Sequence, residues 1–112
     1  MSLRYQEPIE MSKNEFLKVI ETAEIVPLCQ AVVDVVHSVD DYEWLRDQFE
    51  TLLEHPNENV RGVTATCIGH LARLHAAADR EQLLSLLQPC LSDSSIRGQV
   101  EDAIDDIRRF AG

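Results

Sequence analysis

Residues 52–75, LLEHPNENVRGVTATCIGHLARLH, decide the fold because their apolar spacing recurs along the chain. An ungapped shift of 36 residues places Val60-Arg61-Gly62 on Ile96-Arg97-Gly98. The same shift superimposes five further pairs: Asn57 on Asp93, Cys67 on Ala103, Ile68 on Ile104, Leu71 on Ile107 and Leu74 on Phe110. A third copy lies 35 residues upstream, where Ile25, Val33, Val36 and Val39 match Val60, Ile68, Leu71 and Leu74. One structural unit is therefore predicted three times.

Each copy is preceded by another segment with helical periodicity. The first begins with a capping box, in which Ser12 is the N-cap and Glu15 lies three residues on. The predicted helices are 12–25, 26–39, 42–54, 58–75, 79–90 and 95–110. Predicted core residues of the preceding segments are Phe16, Val19, Ile20 and Ala23, then Leu45, Phe49, Leu52 and Leu53, then Leu83, Leu84, Leu86 and Leu87. Pro89 should end or bend the fifth helix.

The segment AVVDVV, residues 31–36, argues against a purely helical fold because its β-branched residues would suit a buried strand. A helix is favoured for three reasons. Pro27 opens a longer apolar run, no second strand is available for pairing, and an enclosed helix can be apolar on all sides. A two-helix unit repeated about every 35 residues then predicts an α-solenoid.

The stretch LLEHPNENVRGVTATCIGHLARL resembles a HEAT repeat: an apolar pair ends one helix, a turn with Pro and Asn follows, and Val-Arg opens the next helix. The resemblance implies an all-α, HEAT-like solenoid of about three antiparallel helix pairs. Its repeats would be 12–39, 42–75 and 79–111, within a single domain 1–112. In HEAT repeats the first-turn arginine commonly ties neighbouring turns together, and Arg61 and Arg97 match it. Gly62 and Gly98 are predicted to allow close packing between helices.

Composition is that of an ordinary globular domain, with 45% hydrophobic and 27% charged residues in a chain of 112. No apolar run reaches the roughly 20 residues that a membrane span needs. The N-terminus, MSLRYQEPIEMSKNEF, lacks the basic-then-apolar layout of a signal peptide. We therefore expect a cytoplasmic protein.

The net charge is −10, and nearly all of it lies in residues 21–60, which carry ten acids and the single base Arg46. A field of that sign repels phosphate backbones and attracts basic partners. Direct nucleic-acid binding is therefore disfavoured, and a basic protein is the expected partner.

No pattern of catalytic or metal-binding residues stands out. Cys67 and His70 have a C-x-x-H spacing, but His75 should project elsewhere, and a four-ligand zinc site needs more than this. Three cysteines, Cys29, Cys67 and Cys90, fit reduced thiols better than a disulfide framework. The sequence has no G-x-S-x-G turn and no phosphate-cradling glycine loop. We expect no catalytic residues, no metal and no cofactor.

Four acids of the third predicted helix should share one face: Glu43, Asp47, Glu50 and Glu54. At about 100° per residue they lie opposite Leu45 and Leu52. One interpretation is the solvated face of an amphipathic helix, which accounts for their polarity. It does not account for their common sign, because like charges four residues apart destabilise a helix by a few tenths of a kcal/mol. The second interpretation is a surface that binds a basic partner.

The predicted partner-binding residues are Asp40, Asp41, Tyr42, Glu43, Trp44, Asp47, Glu50 and Glu54. The acids would attract a basic protein, and the two aromatic residues would act as apolar anchors, because aromatic residues are frequent hot spots. A competing interpretation is that Trp44 packs against the neighbouring repeat.

Two functions fit these features. A small acidic repeat protein resembles, in size, charge and architecture, the immunity proteins of bacterial contact-dependent and polymorphic toxin systems. The resemblance implies a non-enzymatic inhibitor that binds a basic toxin, with a nuclease expected because nucleases bind phosphate. The alternative is a HEAT-repeat scaffold or adaptor that holds another protein or an enzyme complex in its groove. Gene context would distinguish the two functions.

Overall fold

The computed structural model describes residues 9–22 and 24–112. In these residues the chain forms six α-helices and one 3₁₀-helix, and no strand. They are α1 (Lys13–Thr22), α2 (Ile25–Ser38), α3 (Tyr42–Leu52), α4 (Glu58–Leu74), α5 (Arg80–Leu87), the 3₁₀-helix (Gln88–Ser92) and α6 (Arg97–Phe110). The prediction of an all-α fold is confirmed, and residues 31–36 are helical. The predicted core residue Ala23 lies outside the described residues.

Side-chain caps precede α1, α3, α4 and α5, and the capping box before α1 is as predicted. In the capping box before α1, the Glu15 amide donates to Ser12 Oγ at 3.1 Å and the Ser12 amide donates to Glu15 Oε1 at 3.2 Å. Asn57 and Asp79 accept hydrogen bonds from backbone amides in the first turns of α4 and α5. These caps satisfy amides that a helix leaves without partners.

The fifth predicted helix, 79–90, ends earlier than predicted. The α-helix ends at Leu87, and Pro89 lies in the 3₁₀-helix that follows. Proline lacks an amide proton and its ring collides with the preceding turn, so the chain cannot continue as an α-helix. Because α5 has eight residues and buries Leu83 and Leu87 on one side, Leu84 and Leu86 are only partly buried. Like the predicted core residues Val19 and Ile20, they pack against the core without being fully buried, so these core predictions are confirmed only in part.

The second helices of the three pairs pack side by side, with α4 between α2 and α6. Each of α1, α3 and α5 contacts the helix that follows it. The largest fully buried side chains are Phe16, Val32, Val35, Val36, Leu45, Phe49, Ile68, Leu71, Leu83, Leu87, Ile96 and Ile107. Burying one such Leu, Ile or Phe side chain stabilises the fold by about 1.5–3 kcal/mol. The result is a compact globule of 33 × 30 × 22 Å.

The repeated apolar positions agree with the structure only in part. Val60, Ile68 and Leu71 are buried, as are their counterparts in α6. Leu74 and Phe110 are 48% and 50% exposed, because each is the last residue of its helix and no further turn covers it. In the upstream copy Val36 is buried, whereas Ile25, Val33 and Val39 are only partly buried. Helix α2 lies at the edge of the layer, where it packs on α1 and α4.

Two glycines of α4 allow close approach of α6: Gly62, which was predicted, and Gly69, which was not. A Cβ on Gly62 would lie 3.0 Å from Gln99 Nε2 of α6, so Gly62 is a packing position. A Cβ on Gly98 would meet nothing within 4 Å, so its prediction as a close-packing residue is wrong. The closest backbone approach is at Gly69, where a Cβ would lie 3.0 Å from the Cα of Ala103. Helices α4 and α6 therefore depend on Gly69 for their spacing.

The arginine that opens α4 ties two turns together as predicted, but its counterpart in α6 does not. Arg61 Nη1 donates to the carbonyl oxygens of His55 and Pro56 at 2.9 and 3.0 Å. Its Nε donates to Asp93 Oδ2 at 3.0 Å, in the turn before α6. Arg97 is exposed, and within the described part of the chain it forms an ion pair with Glu101, one turn away in its own helix. This contact does not tie two turns together.

Candidate functional site

The acids of α3 lie on the exposed side of the helix, as predicted. Glu43, Asp47 and Glu50 are exposed, while Leu45 and Phe49 on the opposite side are buried. Glu54 is also exposed, but it lies two residues beyond the end of α3, in a turn closed by its amide hydrogen bond to Thr51. We call these four acids, Glu43, Asp47, Glu50 and Glu54, the acidic stripe.

Among the described residues, Arg46 is the cation that pairs with the acidic stripe. Arg46 Nη2 lies 3.0 Å from Asp47 Oδ1, and its Nη1 donates to Gln82 Oε1 at 3.0 Å. The hydrogen bond to Asp47 raises the pKa of Arg46. Within residues 9–22 and 24–112, Glu43, Glu50 and Glu54 form no ion pair. Most of the negative charge of the stripe is therefore directed at solvent.

The two aspartates before α3 have different surroundings. Asp40 is fully exposed, with its Oδ1 3.6 Å from Nδ1 of His75. Asp41 is the N-cap of α3, accepts from the Trp44 amide at 3.1 Å and lies 2.6 Å from Lys13 Nζ. The hydrogen bond from Lys13, more than any other contact, lowers the pKa of Asp41. Asp41 is thus a structural residue as well as a surface acid.

The two aromatic candidates make contacts inside the fold. Trp44 is partly buried, with its ring edge-on to Phe16 at 5.8 Å and Lys13 Nζ 5.4 Å from its centroid. This placement agrees with the competing interpretation of Trp44. Tyr42 is only 7% exposed. Little of its side chain is therefore open to a partner, and its role as an apolar anchor stays a prediction.

The hydroxyl of Tyr42 joins α3 to α5. It donates to Gln82 Oε1 at 3.1 Å and accepts from the Asp79 amide at 3.1 Å. Burial raises the pKa of Tyr42, so the phenol is neutral at pH 7. These hydrogen bonds bring the α4–α5 turn against the acids that precede α3.

An open depression of about 460 Å³ lies where these two turns meet. Its lining, which defines the acidic depression, is Asp40, Asp41, Tyr42, Glu43, Ala77, Asp79 and Gln82. Asp79 and Gln82 were not predicted as site residues. In the sequence Asp79 is recognisable only as a helix cap, because its closeness to Asp40 arises from the packing of α5 beside α3.

One acid of the negatively charged block is not available to any partner. Asp34 is 2% exposed and accepts from the backbone amide of Ile9 at 3.1 Å and from Gln30 Nε2 at 3.0 Å. It therefore fixes the segment before α1 to α2. This role could not be predicted, because nothing in the charge pattern distinguishes Asp34 from the exposed acids of residues 21–60.

The thiols and histidines form no recognisable metal centre. Among the described residues no group of three or more His, Cys, Asp or Glu side chains is placed to hold a metal ion. Burial raises the pKa of Cys67 to about 12, so this thiol is neutral at pH 7. Cys29 is also buried, and among the described residues no two cysteines form a disulfide. Within residues 9–22 and 24–112, no helix is long and apolar enough to span a membrane.

Comparison with known proteins gives one informative likeness. No protein-family model and no curated protein matches the sequence. Among solved structures, a chain in the crystal structure of a CDI complex from Cupriavidus taiwanensis LMG 19424 is similar, with a TM-score of 0.88 and 26% sequence identity. The match covers 97% of this chain and 98% of that chain. The two chains share one fold from end to end.

The likeness to the CDI-complex chain concerns the whole molecule rather than one segment. The structural match extends over nearly the full length of both chains. The acidic depression and the acidic stripe are therefore built on a fold that, in the similar chain, occurs as part of a complex.

Proposed function

We propose that this chain is an immunity protein of contact-dependent growth inhibition, a non-enzymatic protein that binds and neutralises a toxin. The observation that carries the proposal is the end-to-end likeness to a chain of a CDI complex. CDI here stands for contact-dependent growth inhibition, in which a toxin and its immunity protein form the complex. A short, all-α, acidic chain fits the immunity partner, and we place its action in the cytoplasm.

A basic toxin, such as a nuclease, is the partner that the charge distribution favours. The chain has a net charge of −10, and the acidic stripe has one nearby arginine as counter-ion. Opposite charge accelerates the encounter of two proteins and disfavours wrong partners. A nuclease is basic where it binds phosphate, so an acidic inhibitor can cover that surface.

We assign the contact to the acidic depression and the adjoining acidic stripe. The depression joins the exposed carboxylates of Asp40, Glu43 and Asp79 to the structural acid Asp41. Its concave shape suits a lysine or arginine side chain of the toxin, which would there be surrounded by carboxylates. The stripe extends the same charge along α3 and would act mainly on the association rate.

We also interpret the three helix pairs as HEAT-like repeats of a short solenoid. The recurrence of Val60-Arg61-Gly62 as Ile96-Arg97-Gly98 supports this interpretation, as does the side-by-side packing of α2, α4 and α6. A solenoid grows by adding pairs to its end. A fourth pair designed from residues 42–75 and joined after Phe110 should therefore fold and raise the melting temperature, whereas unfolding or aggregation would contradict the repeat interpretation.

The partner can be identified by copurification from the native host, followed by mass spectrometry. A toxin domain with a net positive charge is the expected result. Stopped-flow association should then be measured for the wild type and for a variant with Glu43, Asp47, Glu50 and Glu54 changed to lysine. At low salt the reversal should slow association at least about tenfold, and much less at high salt, because screening shortens the field.

A matched control reverses four exposed acids elsewhere: Glu21, Glu24, Asp102 and Asp105. Both variants change the net charge equally, so only the position of the charge differs. The control should slow association far less than the reversal of the stripe. Equal effects would show that net charge alone matters, and an affinity unchanged by either variant at all salt concentrations would exclude the acidic stripe as the contact.

A further inference from the structure

Two histidines from neighbouring helices touch where α2 packs on α4. The ring centroids of His37 and His70 are 5.8 Å apart, with 53° between the ring planes. His37 is exposed and His70 is partly buried. The Nδ1 atom of His70 is buried without a hydrogen-bond partner among the described residues. The contact suits neutral imidazoles, because a proton on this nitrogen would find no acceptor.

Charged groups from all three helices of the layer surround His70. Burial is the largest effect and lowers the pKa of His70, and the positive charges of Arg73 and His37 lower it further. Asp106 of α6 acts in the opposite direction. His37 also lines a small surface depression, together with Asp40 and His75. Protonating both rings would therefore place two positive charges beside Arg73, with Asp106 as the nearest compensation for His70.

Helix α2 also holds the segment before α1. The backbone amide of Ile9 donates to Asp34 Oδ1 at 3.1 Å, and the amide of Met11 donates to Ser38 Oγ at 3.0 Å. Ser38 Oγ in turn donates to a carbonyl oxygen in its own helix, that of Asp34, at 2.8 Å. A change in the packing of α2 on α4 is therefore transmitted to the N-terminal segment.

We propose that the His37–His70 contact makes the packing of α2 on α4 sensitive to mild acid, so that protonation of the pair loosens α2 and the N-terminal segment that it holds. This device does not depend on the identity of any partner, and it can be tested on the free protein. It predicts that the N-terminal third of the chain is the first part to open when the pH falls.

The sign of the effect follows from linkage. An unfolded histidine has a pKa of about 6.5, and the folded pKa of His70 is lower. The unfolded chain therefore takes up this proton first as the pH falls. Neutral His70 contributes its full stabilisation above a pH of about 6.5. This contribution is lost as the pH falls from there towards the lower pKa of His70 in the folded chain.

The test compares thermal unfolding of the full chain at pH 7.5 and 5.0 for the wild type, His37→Gln, His70→Leu and the double variant. Relative to His70→Leu, the wild type should lose about 3 °C or more of melting temperature on acidification. The double variant should follow His70→Leu, because His37 acts through its contact with His70. Hydrogen exchange in the wild type should show protection lost from α2 before α4, after correction for the intrinsic effect of pH.

A second measurement keeps the test independent of whether His70→Leu folds. In the wild type, the carbon-bound imidazole protons of His70 should titrate below pH 6.5 in the nuclear magnetic resonance spectrum, and His37→Gln should raise that pKa. A pKa of His70 at or above 6.5 would overturn the proposal. So would an equal acid-induced loss in wild type and His70→Leu, or uniform loss of amide protection along the chain.

Discussion

At the scale of single residues, Arg61 and Arg97 form a natural pair for comparison because they hold equivalent repeat positions in different surroundings. Arg61 donates to two carbonyl oxygens and to Asp93, whereas Arg97 forms one exposed ion pair. Arg61→Ala leaves turn acceptors without a donor and should lower the free energy of unfolding by about 1–3 kcal/mol. Arg97→Ala should change it by less than about 0.5 kcal/mol.

Urea denaturation of both variants measures this difference. If Arg61→Ala were as stable as the wild type but failed to bind the partner, Arg61 would be an interface residue instead of a structural one. Arg61→Lys should have a stability between those of the wild type and Arg61→Ala. Lysine keeps the positive charge, but it lacks the planar guanidinium that donates to three acceptors.

Gly69 and Gly98 provide a second pair at this scale. A methyl group on Gly69 would lie 3.0 Å from the Cα of Ala103, so the α4 and α6 backbones would have to separate. Gly69→Ala should therefore cost about 1–3 kcal/mol of unfolding free energy. Gly98 has open space around its Cβ position, and alanine is the better helix former, so Gly98→Ala should stabilise by about 0.4–1 kcal/mol. Thermal melts with the same sign for both variants would contradict this packing.

At the scale of one element, the like charges of the acidic stripe destabilise α3. On the exposed side of α3, Glu43 and Asp47 are four residues apart and Asp47 and Glu50 are three residues apart. Glu50→Lys replaces repulsion by attraction and should stabilise the free protein by about 0.2–0.5 kcal/mol for each pair changed. The gain should disappear at high salt, because exposed charges are screened. If Glu50→Lys destabilised the free protein at low salt, a structural role for Glu50 would replace this account.

The elements also show what sequence can predict. Periodicity predicted all six helices, and composition predicted the capping box before α1, because apolar spacing and capping act within one helix. The exposed side of α3 was likewise predictable. What failed depends on neighbours: Gly98 matches Gly62 in sequence, but a Cβ on Gly98 would meet nothing within 4 Å. The acidic depression could not be predicted from the sequence. It forms where Tyr42 meets Asp79, and only tertiary packing brings these two residues together.

At the scale of the whole molecule, the final helices are predicted to be essential to the core. Helix α6 packs along α4 and buries Val100, Ile104 and Ile107. Truncation after His75 would expose Ile68 and Leu71, which are fully buried in the complete chain. We expect the fragment to aggregate or to unfold without cooperativity, as terminal units cap a stack. A monomeric fragment with a sharp unfolding transition would show that residues 9–75 have a core of their own.

The hydrogen bonds of the buried Tyr42 hydroxyl have a consequence for how a complex would form. They fix the rim of the acidic depression before any toxin arrives, so little conformational entropy is lost there on binding. Recognition would then resemble the docking of two preorganised surfaces, with small backbone movement. Association should proceed in a single kinetic phase whose rate rises linearly with toxin concentration, and differences among toxins should appear mainly in how slowly each one dissociates.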